Sequence, residues 1–253
     1  MDVHLSSAMA EQGVLIFVRA LTALATGPVF GHRAVVAPIK IGLAMALTYA
    51  TLMANPPAAT FPDGLTFLIA VGAEVLIGAL IGFVSMLAFQ IWEMAGSIVG
   101  MGMGLSFPAS INPVLPSQGG LIEQFYVLLA TLIFFAIRGH HALLIALGRT
   151  LEIVPPGSFV IDTLAAEQLI RLSAAIFVSA LQIALPVLAT LLLTDLALAL
   201  ISRAIPRAPV FVLGMPFKVA VGLIALMVTW PLIMPMMQRV FLQVAHEVLL
   251  VVR

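Results

Sequence analysis

The sequence predicts an all-α protein built of hydrophobic helical hairpins, of the integral membrane type. Three observations carry this. Hydrophobic residues make up 62% of the chain and charged residues only 9%, against about 25% charged in an ordinary soluble domain. The apolar residues gather in about six long segments, several of them reaching the ~20 residues that a spanning helix needs. Proline- and glycine-rich or charged breaks separate these segments. With 11 basic and 11 acidic residues in 253, the chain cannot cover a soluble surface of this size. Its surroundings must be lipid, other hydrophobic subunits, or both.

The first twelve residues contain Asp2 and Glu11 but no Lys or Arg. A cleavable signal needs a basic start, so the first hydrophobic segment, 13–30, is expected to be retained. It holds Arg19 and leads into a basic connection with Arg33 and Lys40. The second segment, 41–54, stops at Asn55-Pro56-Pro57, where proline removes an amide donor and restricts its predecessor. The third, 64–106, is apolar throughout. As one helix it would be more than twice as long as the ~30 Å hydrocarbon layer is thick. It is therefore a hairpin with an internal break, a re-entrant segment, or a long helix that leaves the bilayer. Gln90, Trp92 and Glu93 mark the expected change of surroundings.

Residues 107–120 read FPASINPVLPSQGG, a loop by its prolines and glycines and without a single charge. The fourth segment, 121–137, closes at Arg138-Gly139-His140-His141. A polar connection, 138–172, follows, with Arg149, Glu152, Pro155-Pro156-Gly157, Glu167 and Arg171. The fifth segment, 173–202, contains Pro186, which a membrane helix tolerates when neighbours satisfy the freed carbonyl. The sixth, 219–237, contains Trp230 and Pro231, and the tail after it suits a short interfacial helix. The chain reads as a single helical membrane domain over 1–253. Six spans place Arg138, Arg149, Arg171, Arg239 and Arg253 on one side, and Arg33, Lys40, Arg203, Arg207 and Lys218 on the other. The positive-inside rule is then tied.

Net charge is zero, so no basic field invites nucleic acid. Cysteine is absent, which removes disulfides, thiol catalysis and cysteine metal sites. There is no GxSxG, HExxH, Walker or dinucleotide motif, so the chain is not read as an enzyme. No catalytic, cofactor-binding or metal residue is assigned. Adjacent His140 and His141 point in different directions on a helix and suit a boundary rather than a metal.

Three features invite a functional reading. Gly78 and Gly82 form a GxxxG step, and Gly96, Gly100 and Gly104 form two more. Such spacing lets helix backbones approach closely, either within the chain or on an assembly face. Arg19, Glu74, Glu93, Gln182 and Asp195 are polar residues inside apolar stretches. A charge at the bilayer centre costs at least ~2.5 kcal/mol, so each needs a partner, a proton or water. Buried hydrogen bonding is favoured over an ion path. The uncharged 107–120 loop is either a pore constriction or a turn buried between helices. A stand-alone secondary transporter or ion channel is the alternative reading, resting on Glu74, Glu93 and Asp195.

Several segments, taken in order, resemble the FliR family of flagellar export-gate proteins, whose injectisome counterparts are called SctT. Arg19-Ala20-Leu21 through Gly27-Pro28-Val29-Phe30 is similar to the family's first helix, and Lys40-Ile41-Gly42-Leu43-Ala44 to its next. Gly96-Ser97-Ile98-Val99-Gly100 with Met103-Gly104-Leu105-Ser106-Phe107 resembles its glycine signature. Leu185-Pro186, Asp195-Leu196-Ala197-Leu198, Ser202-Arg203, Pro206 and Gly214-Met215-Pro216-Phe217 form the most specific block. The resemblance covers nearly the whole chain. It implies a subunit that joins FliP-like and FliQ-like proteins, with an FlhB-like switch protein at the base, in the gate of a type III export apparatus. It also implies a multi-pass protein of the bacterial inner membrane and flagellar basal body. Unfolded export substrates would leave the cytoplasm through that gate. It further implies a pore-closing loop, which falls here on Phe107, Pro108, Asn112 and Pro113. The family often has Asp-Pro where this chain has Asn112-Pro113, and its usual Asn before Gly-His is Arg138 here.

Overall fold

A computed structural model describes residues 2–33, 35–54, 61, 63–105, 120–158, 163–205 and 210–252. Among them every regular element is a helix: α1 (Asp2–Thr26), α2 (Ala37–Ala54), α3 (Gly64–Gly102), α4 (Leu121–Ala136), α5 (Gly139–Ile153), α6 (Thr163–Ala204) and α7 (Val210–Val252). Five of these are long and apolar enough to cross a membrane, or six if α4 and α5 count as one interrupted span. The loop residues Phe107, Pro108, Asn112 and Pro113 lie outside the described residues.

Local chemistry explains the helix ends. α1 stops at Gly27-Pro28, and α2 stops before Asn55-Pro56-Pro57. Asp63 immediately precedes α3 and its carbonyl accepts the Phe67 amide at 3.1 Å; the helix runs unbroken for 39 residues. Of the three readings open for this stretch, the long helix is the one observed, since no proline interrupts 64–102. Its length, about 58 Å at ~1.5 Å per residue, is nearly twice the hydrocarbon thickness.

α3 ends in a Schellman turn. The Leu105 amide donates to the Gly100 carbonyl and the Gly104 amide to that of Met101, both at 3.0 Å, while Gly104 has φ 79. Glycine adopts this left-handed conformation without the Cβ clash of other residues. Gly104 therefore terminates the helix that Gly96 and Gly100 belong to, although all three share one spacing. Gly104→Ala should lower the chain's stability by about 1–2 kcal/mol, measured by thermal unfolding in detergent. An unchanged midpoint would show that the turn can be rebuilt without glycine.

The polar connection 138–172 is mostly helical, containing α5 and the start of α6. α4 and α5 are separated at Ile137-Arg138, where Arg138 has φ 59. Asn enters that region more readily than Arg does, so the departure noted at this position falls on a backbone conformation that suits the family's Asn better. Pro186 sits inside α6, and Pro216, Pro231 and Pro235 inside α7. The tail is the continuation of α7 to Val252 rather than a separate short helix.

The sequence reads as one helical domain, and its residues group into two compact units. The first comprises Met1–Ala88, Arg138–Ser173 and Phe241–Arg253; the second comprises Phe89–Ile137 and Ala174–Val240. The first buries Leu15, Ile16, Ala23, Ile77, Ile81, Leu147 and Val248. The second buries Trp92, Val99, Tyr126, Phe134, Ile183, Leu191 and Met237. In each unit, large apolar side chains also stay outside. α2 buries only Ala44, and Ile39, Met45, Tyr49 and Met53 are exposed on it.

Candidate functional site

The first unit contains a buried polar centre built from three helices and a turn. α1 places the apolar residues Leu15, Ile16, Ala20, Ala23 and Leu24 on its inner face, and Arg19 falls among them, fully buried. Glu74, also fully buried, comes from α3. Arg19 Nε donates to Glu74 Oε2, and Nη2 donates to Oε1 at 2.9 Å. This is a two-pronged guanidinium–carboxylate pair, the strongest form of side-chain hydrogen bonding.

The remaining donors of Arg19 point at the end of α5. Nη1 donates to the Thr150 carbonyl at 3.0 Å and to the Val154 carbonyl at 2.9 Å. The carbonyls at the C-terminal end of a helix carry partial negative charge, so a cation is well placed there, and the Thr150 carbonyl accepts the Val154 amide as well. Glu74 Oε1 also accepts the Gly157 amide at 3.0 Å. Gly157 has φ 84, and Ser158 donates its amide to the Pro155 carbonyl at 3.1 Å. Pro155 to Ser158 is thus a turn with Pro156 and a left-handed Gly157 at its centre, where glycine is required. A side chain at Gly157 would also reach to 2.6 Å from the Phe61 ring.

The α1–α3 approach that brings Arg19 to Glu74 depends on Gly78 and Gly82. A Cβ on Gly78 would lie 2.6 Å from the Arg19 carbonyl oxygen and 3.1 Å from the Ala23 nitrogen. One on Gly82 would lie 1.8 Å from Thr26 Oγ1 and 3.0 Å from the Ala23 carbonyl oxygen. These glycines therefore pack against the chain's own first helix. Gly78 is one turn along from Glu74, so the same crossing sets both the contact and the ion pair.

In the second unit, Gly96 meets α4: its Cβ would lie 2.7 Å from the Glu123 Cα and 3.1 Å from the Ile122 carbonyl oxygen. Gly100 is buried. Glu93 is half-buried, hydrogen-bonded by the Gln90 side chain and close enough to Glu123 for mutual repulsion. Asp195 on α6 binds Lys218 on α7. Two expectations of burial are corrected here. Asp195 is about half exposed, and Gln182 lies exposed on the outer face of α6 while Ile183, Ala184 and Val187 face inward. α6 is apolar nearly all round, so a polar residue in its sequence carries no sign of which face it occupies.

Chemically, the Arg19–Glu74 centre holds α1, α3 and the end of α5 in register. Neither side chain is accessible, so it presents nothing to a substrate. Among the described residues no group of three His, Cys, Asp or Glu side chains is placed to hold a metal. The carbonyls of Thr150 and Val154 and the amide of Gly157 were missed in the sequence. Only the Pro-Pro-Gly run pointed to the turn that presents that amide.

Residues 10–244 match the model of a family described as bacterial export proteins, family 1. The chain is 32% identical over 227 residues to the flagellar biosynthetic protein FliR of Escherichia coli (strain K12), covering 89% of this chain and 87% of that protein. It is 30% identical over 233 residues to the protein of the same name from Bacillus subtilis (strain 168), covering 90% and 89%. It is also 34% identical over 175 residues to the Yop proteins translocation protein T of Yersinia pestis, covering 66% and 64%.

Proposed function

This chain belongs to the family of bacterial export proteins, family 1, and from that premise we propose that it is a subunit of the type III protein-export gate. It helps form the channel through which unfolded substrates leave the cytoplasm. The flagellar setting is the better supported one, because the flagellar relatives align along more of the chain than the Yersinia translocation protein does. It is a multi-pass membrane protein, and its partners are FliP-like and FliQ-like gate subunits and an FlhB-like switch protein.

The observation that carries this reading is the similarity along nearly the whole chain to the flagellar FliR proteins. The surface adds support. Met45, Tyr49, Leu65 and Leu68 in the first unit, and Leu192, Leu193, Met227 and Val228 in the second, are exposed. Large apolar side chains left exposed on these helices suit protein–protein or membrane contact. The transporter alternative rested on Glu74, Glu93 and Asp195. Glu74 is matched by Arg19 and Asp195 by Lys218, which leaves Glu93 alone to carry that reading.

Co-expression with the FliP-like and FliQ-like proteins of the same cell, followed by mild detergent extraction, should recover all of them with this chain. A monodisperse lone chain that moves a small solute into liposomes would overturn the proposal.

A further inference from the structure

The start of α5 gathers three basic residues, and its first turn holds no Asp or Glu. Arg138, His140 and His141 all belong to the first unit. Arg138 occupies the N-cap position in the left-handed region, with φ 59 and ψ 33, and none of the described side chains caps the turn. Its carbonyl accepts the His141 amide at 3.0 Å and the Ala142 amide at 3.3 Å. The His140 and His141 rings meet edge to face, with centroids 4.5 Å apart and planes at 85°. Arg138 and His141 are exposed, and His140 is half-buried. The charges that act on His140 are those of His141 and Arg138. Neighbouring elements face this half of α5 with uncharged groups: Leu24, Pro28, Ile81 and Ser85 line a small cavity together with Leu143 and Leu147.

Histidine exchanges its proton near pH ~6.5, within the physiological range. Each proton taken up here adds a cation at the positive end of a helix, where the dipole disfavours it. It also adds one beside a guanidinium that never loses its charge. A second proton would bring two imidazolium rings into contact at 4.5 Å, and like charges at that range repel. When the turn opens, the three groups spread apart and the repulsion falls. The opened turn therefore binds protons more tightly than the closed one, so the stability of the turn rises with pH. It is complete above the histidine range and declines as pH falls through that range. The far end of α5 stays fastened, because Arg19 holds the Thr150 and Val154 carbonyls and keeps its charge throughout.

We propose that Arg138, His140 and His141 form a proton-operated joint at the start of α5. With neutral histidines the first turn is wound. Protonation unwinds it, while the Arg19–Glu74 centre keeps the rest of the helix in place. The left-handed, uncapped Arg138 suits this role, since a strained helix start costs little to release. The joint goes beyond the gate reading and does not depend on it.

Hydrogen exchange read by mass spectrometry tests this on the full chain, extracted in mild detergent with the subunits that accompany it. After correction for the intrinsic effect of pH, the amides of 141–144 should exchange about tenfold faster at about pH 5.5 than at about pH 7.5. Those of 150–153 should keep one rate. In His140→Gln with His141→Gln the difference between the two pH values should vanish. A wild-type first turn that exchanges alike at both would overturn the proposal. So would a double variant that keeps the full response, since the protons would then act elsewhere. Acceleration along the whole of α5 would overturn it too, by showing general loosening in place of a local joint. If the double variant fails to fold, His141→Gln decides, because that side chain is exposed. Its response should shrink to about threefold, and a full response would overturn the joint.

Discussion

Replacing Arg19 with methionine should destabilise the first unit by about 3–5 kcal/mol, because it leaves the Glu74 carboxylate buried without its cation. The same change deprives the Thr150 and Val154 carbonyls of the donors that reach them from Nη1. Methionine matches much of the length of the arginine stem, so lost volume is not the main effect. The check is thermal unfolding of the detergent-purified chain, together with its accumulation in the membrane. The double replacement, Arg19→Met with Glu74→Met, removes the stranded charge as well and should recover most of the loss. A double variant as damaged as the single one would show that the hydrogen bonds to α5 and to Gly157, rather than the uncompensated charge, dominate.

Gly78→Leu should do comparable damage by another route. Its first added atom would sit 2.6 Å from the Arg19 carbonyl oxygen and 3.1 Å from the Ala23 nitrogen. Those are backbone atoms of a helix, which cannot swing aside as a side chain can. α1 must move away from α3, and the guanidinium then loses its carboxylate. The expected cost is at or above the ~3 kcal/mol end of the range for overpacked cores. Gly42→Ala, on the exposed side of α2 with nothing within 4 Å, is the matching control. It should be neutral or stabilise α2 by up to ~1 kcal/mol through helix propensity. Equal midpoints for the two variants would show that α1 and α3 do not depend on glycine to meet.

The all-helical character and most helix ends are legible in the sequence, because composition and proline act locally. The polar centre is legible only in part. Arg19 and Glu74 stand out as charges in apolar surroundings, and energy requires partners for them. That they partner each other, 55 residues apart, depends on where α1 crosses α3. The glycine spacing shows that a close crossing exists without naming the helix that supplies the other side. Gly96 and Gly104 make the same point: equal spacing leads one to a packing contact with α4 and the other to a turn with φ 79. The backbone groups of Thr150, Val154 and Gly157 leave no trace in residue type, so no side-chain pattern pointed to them. Gln182 and Asp195 look alike to a reading of hydropathy, and only packing shows that both face outward.

The order in which the ribosome delivers the parts of the Arg19 cluster has its own consequence. α1 emerges first, carrying a cation whose carboxylate arrives 55 residues later and whose carbonyl acceptors arrive 131 and 135 residues later. The first unit is completed only by the final stretch of α7, from Phe241 onward. A nascent or prematurely terminated chain therefore displays an unmatched guanidinium in its earliest helix until Glu74 has been made, and its full set of acceptors exists only once Val154 has been added. The cation of the earliest helix thus depends on residues synthesised well after it, and the unit around it closes only with the last stretch of α7.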